Sequence, residues 1–252
     1  MAANDSGQDI QAERALAAAR TGGWRSGPLA CAALALVGGA ITWGLLQGVS
    51  PFFQIPEKYH VTGLGAPPEK WIPFEAERAK AARRNAMLEF ASFGALVAGM
   101  MGLGEGLARR RLRLVLVAVP VAAAVGCLAG LAGKSAYEAF GAGPQADLAG
   151  TLKVQAIALG LLGLGVGLAL GLAGNSLRDV VISSIAGTLA GALAGVLYPV
   201  AISLLMPAAS TDSLVPKAAA SRMLWVGLFA ALSGLIVAAT AGQGRPTQQP
   251  GT

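Results

Sequence analysis

The chain has 252 residues, 54% of them hydrophobic and only 13% charged, with a formal net charge of +6 and a mean hydropathy of +0.60. A soluble domain carries about 25% charged residues, so the solvated surface that a water-soluble globule needs is missing. The apolar runs mix Leu, Ala, Gly and Val without period-two alternation, which argues against an outer-membrane barrel, and backbone in lipid then satisfies its own polar groups only as helix.

Residues 1–27 read as a polar, Ala/Gly-rich tail carrying Arg14, Arg20 and Arg25. The first span is expected at 28–50, long enough for a hydrocarbon core of about 30 Å. It is too long for an ordinary signal-peptide core, and no small-x-small site follows before Pro51, so it reads as an uncleaved span. Pro51–Phe74 is the one substantial loop. Its prolines argue against regular helix, and Phe52, Phe53, Tyr59, Trp71 and Phe74 suit a segment at headgroup level. From Glu75 to Ala86 the pattern becomes that of a polar helix with i,i+3 pairs Glu75–Arg78 and Glu77–Lys80, an extension of the second span into water.

The remaining spans are expected at about 87–107, 112–133, 152–174, 180–206 and 222–241, with Pro120 and Pro199 inside the third and fifth. Residues 242–252 form a Pro/Gly-rich polar tail, read as disordered. The expectation is thus an all-α integral membrane protein, a single bundle of about six transmembrane helices over 28–241. The cationic residues flank the apolar runs, where they meet headgroups, so the positive charge does not point to nucleic acid. Cys31 and Cys127 lie inside apolar runs and read as small packing residues, not as a disulfide framework.

Offsetting the chain by 61 residues lays Gly102–Ala108 over Gly163–Ala169, Gly126–Gly130 over Gly187–Gly191, and Tyr137 over Tyr198. From Ala91 to Tyr137, 15 of 47 positions match, where a chain of this composition gives roughly six by chance. The pattern suggests a parallel duplication in which spans two and three recur as spans four and five.

Glycines recur every four residues at Gly163, Gly167 and Gly171, and at Gly187, Gly191 and Gly195; shorter series are Gly126 with Gly130 and Gly44 with Gly48. This spacing puts them on one helix face, where missing Cβ atoms let two backbones approach. Glycine-zipper packing within the bundle is one reading; contact between copies of the chain is the other.

Intramembrane carboxylates are costly and mark ion or proton paths in many membrane proteins. The candidates are Glu105, four residues before Arg109, and Glu89 near the opposite end of the same span. Each also has a structural reading as half of a local ion pair. Asn175, Arg178 and Asp179 read as a solvated, helix-capping loop, and Lys134 as an anchor for the end of span three.

Other patterns fail. Gly133-Lys134-Ser135 lacks the upstream glycine of a phosphate loop, where Leu128 stands. Gly102–Gly106 (GLGEG) resembles the GxGD signature of intramembrane aspartyl proteases, but with Glu for Asp and no second acid placed as its partner. Ser183-Ser184 has no intramembrane histidine, since His60 lies in the loop. No catalytic residue, cofactor-binding residue or metal site is therefore expected.

The leading functional reading is a structural, packing or complex-assembly role without enzymatic activity. A small-solute or ion transporter or channel using an intramembrane carboxylate is the alternative, and an intramembrane enzyme ranks last. Expected partners are the lipid bilayer and other membrane-protein subunits or a second copy, with no nucleic acid. Four arginines in 109–113 favour cytoplasmic termini, in a bacterial inner membrane, against the Lys and Arg of 58–84.

Overall fold

The computed structural model describes residues 28–60, 67–108, 113–140, 148–173, 176–207 and 213–241. Both terminal tails and most of the arginine-rich turn lie outside these. Six helices carry the described chain: α1 Pro28–Val49, α2 Pro68–Ala108, α3 Arg113–Ala139, α4 Leu148–Leu172, α5 Leu177–Leu205 and α6 Ala219–Ala241. A short 3-10 turn spans Glu57–Tyr59, and there is no strand among the described residues. All six are long and apolar enough to cross a membrane. The protein is an all-helical, multi-pass membrane protein.

Each helix packs on its neighbours in sequence and α6 returns to α1, so the six form a closed ring, with α2 and α6 each also touching α4. Successive spans alternate in direction. The α1–α2, α3–α4 and α5–α6 connections therefore share one end, called here the loop end, while the start of α1, the end of α6 and the other two turns share the opposite end.

The interior is filled with aromatic rings. Trp225 of α6 stacks edge-on to Phe90 of α2, with centroids 5.5 Å apart, and lies 5.1 Å from Phe93; Phe93 in turn meets Phe229 at 4.8 Å. All four are fully buried. Such tilted and edge-to-face pairs add about 0.5–1.5 kcal/mol each beyond area burial. That matters in lipid, where apolar burial does not draw helices together. The outer faces carry Leu116 and Leu128 of α3 and Leu189 and Leu204 of α5, all exposed, as a hydrocarbon-facing surface requires.

Between α4 and α5 the backbones run against each other. A Cβ built on Gly163 would strike the carbonyl of Gly187, one on Gly167 that of Ser183, and one on Gly191 that of Leu159. Gly195 lies against Gln155 and Ala156, and a Cβ on Gly171 would sit 2.6 Å from the Val180 Cα. In the α2–α3 pair, Gly126 meets Phe90, and Gly130 meets Ala86 and Met87. By contrast, Gly44 and Gly48 have nothing within 4 Å. That series forms no seam, because its face of α1 points away from the bundle.

The two hairpins cross in different registers. Gly126 lies against Phe90, whereas Gly187, its partner at the 61-residue offset, lies against Gly163, the counterpart of Gly102. A contact carried over unchanged would have put Gly187 on Thr151, which is 12 residues away from Gly163.

Local departures from the sequence reading have simple causes. Helix α2 starts at Pro68, inside the segment expected to be non-helical, and carries Pro73 within it. The proline removes one helical donor, to Glu69, whose exposed position leaves its carbonyl to water. Trp71 and Phe74 thereby become helix residues in edge-on contact at 5.8 Å, not parts of an interfacial loop. The α5 cap is Ser176, whose hydroxyl accepts from the Asp179 N–H; Arg178 and Asp179 sit in the first turn, not in a loop, and Asn175 lies outside the described residues. Helix α3 runs on past Lys134, which reaches Glu138 at 3.8 Å and lies over the Tyr137 ring.

Candidate functional site

The described polar groups that are buried and cross between helices gather at the loop end. Glu89 lies on α2 just below the level where that helix leaves the bundle, and is 9% exposed. Ser50, immediately after α1, donates its hydroxyl to Glu89 Oε1. Arg222 of α6 is 8% exposed. Its Nε donates to the Pro216 carbonyl at 2.8 Å and its Nη1 to the Leu46 carbonyl at 2.7 Å.

That second bond has a clear physical basis. Leu46 belongs to the last turn of α1, whose carbonyls have no helical donor and carry the negative end of the dipole. Arg222 stands in the first turn of its own helix, where a cation is disfavoured, but its guanidinium reaches the end of a neighbour where a cation is favoured. Trp43 reinforces the same junction, donating its indole N–H to the Ala219 carbonyl at 3.0 Å.

A second group surrounds Gln155 of α4, which is 2% exposed. Its Nε2 donates to the Leu214 carbonyl and its Oε1 accepts the Trp225 indole N–H, both at 2.9 Å. Tyr198 of α5 and Ser221 of α6 are buried at the same end, with the Ser221 hydroxyl donating to the Ala218 carbonyl. Every helix except α3 therefore contributes to the cluster, and α3 contributes the space: a Cβ on Gly133 would lie 3.2 Å from Leu214 Cδ1.

The sequence candidates are distributed unevenly over this arrangement. Glu89 is inside it, partnered by Ser50 and not by a neighbouring Lys or Arg on its own helix. Glu105 is half-buried near the far end of α2, 16 residues and thus about 24 Å away along the axis; its sequence partner Arg109 lies outside the described residues. The two carboxylates do not meet. His60, exposed, pairs with the Ile55 carbonyl through Nε2, while Ser183 and Ser184 lie toward the opposite end on α5. Among the described residues no three His, Cys, Asp or Glu side chains converge as metal ligands.

Gln155, Arg222, Ser50, Trp225 and Tyr198 were missed by sequence reasoning. Arg222 reads as a span-flanking cation; its position at the head of an apolar run, six residues after Pro216, was the available signal. Gln155 alone within a Leu/Ala/Gly helix was another.

The chemistry on offer is limited but definite. The arrangement holds a carboxyl and a guanidinium group out of lipid, caps one helix with another's side chain, and fixes two non-helical carbonyls. No family model, curated protein or solved structure matches the chain.

Proposed function

We propose that the protein is a structural subunit of a membrane assembly, holding a partner through the part of α2 that leaves the bundle. The observation that carries this is the length of α2. Its 41 residues extend about 61 Å, twice the hydrocarbon thickness. From Glu69 to Lys80 every side chain is exposed apart from half-buried Phe74 and Glu77. Ile72, 73% exposed, Ala79, Ala86 and Phe93 recur at intervals of seven, and so share one face. The lower two pack into the bundle, and the upper two continue that face beyond it. An apolar stripe continuous with a packed seam is what a second protein's helix uses.

The test is mild-detergent purification of the parent and of an Ile72→Asp/Ala79→Asp variant. A stoichiometric companion bound to the parent and lost from an equally stable variant is expected. A chain that purifies alone, or a companion indifferent to both changes, rejects the reading.

Within this proposal the glycines at 126, 130, 163, 167, 171, 187, 191 and 195 act as zipper-like packing seams that make the bundle a rigid base. The two hairpins α2–α3 and α4–α5 derive from one ancestral unit, with the register between the paired helices since changed in one copy. The membrane is a bacterial inner membrane with both termini in the cytoplasm, on the strength of the arginines at 109–113.

A second reading, transport of a small solute or ion, is favoured by one observation, the buried Glu89–Ser50–Arg222 group. A buried carboxyl and a buried guanidinium at one end of a membrane bundle are costly to maintain for packing alone. Here Glu89, not Glu105, is the working carboxylate. In proteoliposomes loaded with a pH-sensitive dye, Glu89→Gln should abolish any proton-coupled signal while Glu105→Gln leaves it within about twofold; the reverse pattern rejects the assignment.

A further inference from the structure

We propose that Leu214–Pro216 is a removable plug that closes a polar vestibule at the loop end of the bundle. The inference rests on the transport reading.

The segment is neither helix nor strand, yet Leu214 and Pro216 are buried and Val215 half-buried. Non-helical backbone at such a place is tolerated only where protein covers it or where it lines a cavity. Its hold on the bundle is made by side chains instead of a backbone ladder: Gln155 Nε2 takes the Leu214 carbonyl and Arg222 Nε the Pro216 carbonyl. The Leu214 side chain occupies a notch left by Gly133, at whose position a Cβ would lie 3.2 and 3.3 Å from the two δ-carbons and 2.8 Å from Ala158 Cβ. Lifting the segment breaks two side-chain hydrogen bonds and empties one notch, and no helix loses a backbone bond.

What lies beneath is polar in a way that packing does not require. Gln155 faces Trp225, Glu89 faces Ser50, and Arg222 ties the plug to the end of α1 through the Pro216 and Leu46 carbonyls. Displacing the plug frees one N–H donor on Gln155 and one on Arg222, both of them satisfied only by plug carbonyls in the closed form. The same two side chains thus latch the closed state and line the opened one, which makes the equilibrium between them tunable by single substitutions.

The test uses a full-length chain with Cys31 and Cys127 replaced by Ser and a single reporter, Ala158→Cys, which is fully buried beside the notch. A charged methanethiosulfonate reagent is applied from the loop end, with exposed Lys217→Cys as reference. A plug that opens as a minor state of roughly 0.1–10% gives reporter labelling about 10- to 1000-fold slower than the reference. Gln155→Glu keeps the acceptor for Trp225 and removes the donor to Leu214, and should speed labelling at least ~10-fold; Arg222→Lys, acting on the other carbonyl, should do the same. Protection of the reporter beyond ~1000-fold, unmoved in whichever variant remains monodisperse, overturns the proposal. If neither variant folds, the parent rate alone decides by that same limit. Labelling as expected without measurable flux leaves the plug standing and removes the transport reading; flux with a fully protected reporter does the opposite.

Discussion

At the residue scale the bundle is governed by what is missing from a side chain. Gly191 and Gly44 are the same residue in helices of similar composition, but a methyl group has different consequences at each. On Gly191 it would enter the carbonyl of Leu159, and at Gly44 nothing lies within 4 Å. Overpacking a tight contact costs about 1–3 kcal/mol, since backbone cannot give way as a flexible side chain can. Gly191→Ala should lower the unfolding free energy in SDS titrations of the detergent-solubilised protein by that amount. Gly44→Ala should leave it within ~0.5 kcal/mol, or raise it slightly through helix propensity. Equal effects would mean that the α4–α5 seam is looser than its geometry implies. The four-residue spacing made both series visible in the sequence, but it could not distinguish them, because spacing fixes a face of a helix and not what that face meets.

At the element scale, helix ends decide more than helix interiors do. Helix α1 closes with its Leu46 carbonyl on Arg222 and its indole at Trp43 on Ala219, so the first and last spans are joined at the loop end by polar contacts. Replacing Arg222 by Met strands the carbonyls of Leu46 and Pro216. The expected loss in the same SDS titration is about 1–3 kcal/mol for each acceptor left unsatisfied. A loss below ~0.5 kcal/mol would show that these two bonds contribute little to the fold. None of this could be read from one span at a time. Arg222 at the head of an apolar run fits the ordinary role of a flanking cation, and only ring closure between α1 and α6 turns it inward. Likewise Pro73 reads as a helix breaker, yet α2 passes through it because the lost bond is exposed to water.

At the scale of the whole molecule, the ring sorts the charges by side. The loop end carries all six lysines and Arg78, Arg83, Arg84 and Arg222, whereas arginine is the sole cation of the other end and of the tails attached to it. Counting alone does not orient such a chain, and the dense arginines near the α2–α3 turn carry the proposal that this end is cytoplasmic. With single cysteines in intact cells, Lys217→Cys should react with an impermeant maleimide and Arg178→Cys should not; the opposite pattern inverts the topology. Either result leaves the fold and the polar cluster unchanged.

Composition and apolar run length settled from the sequence that the chain crosses a membrane as six helices, because lipid allows exposed backbone no other closed hydrogen-bonding scheme. They also gave Glu89 as a candidate, since a carboxylate in such a run is conspicuous. The tertiary structure alone decided that α1 and α6 meet, that Trp225, Phe90, Phe93 and Phe229 fill the interior, and that Gln155 and Arg222 hold a non-helical segment over it. The physical reason is the distance along the chain over which these contacts act. Hydropathy is a property of neighbours in sequence, whereas Arg222 and Leu46 are 176 residues apart and become partners only when the ring closes.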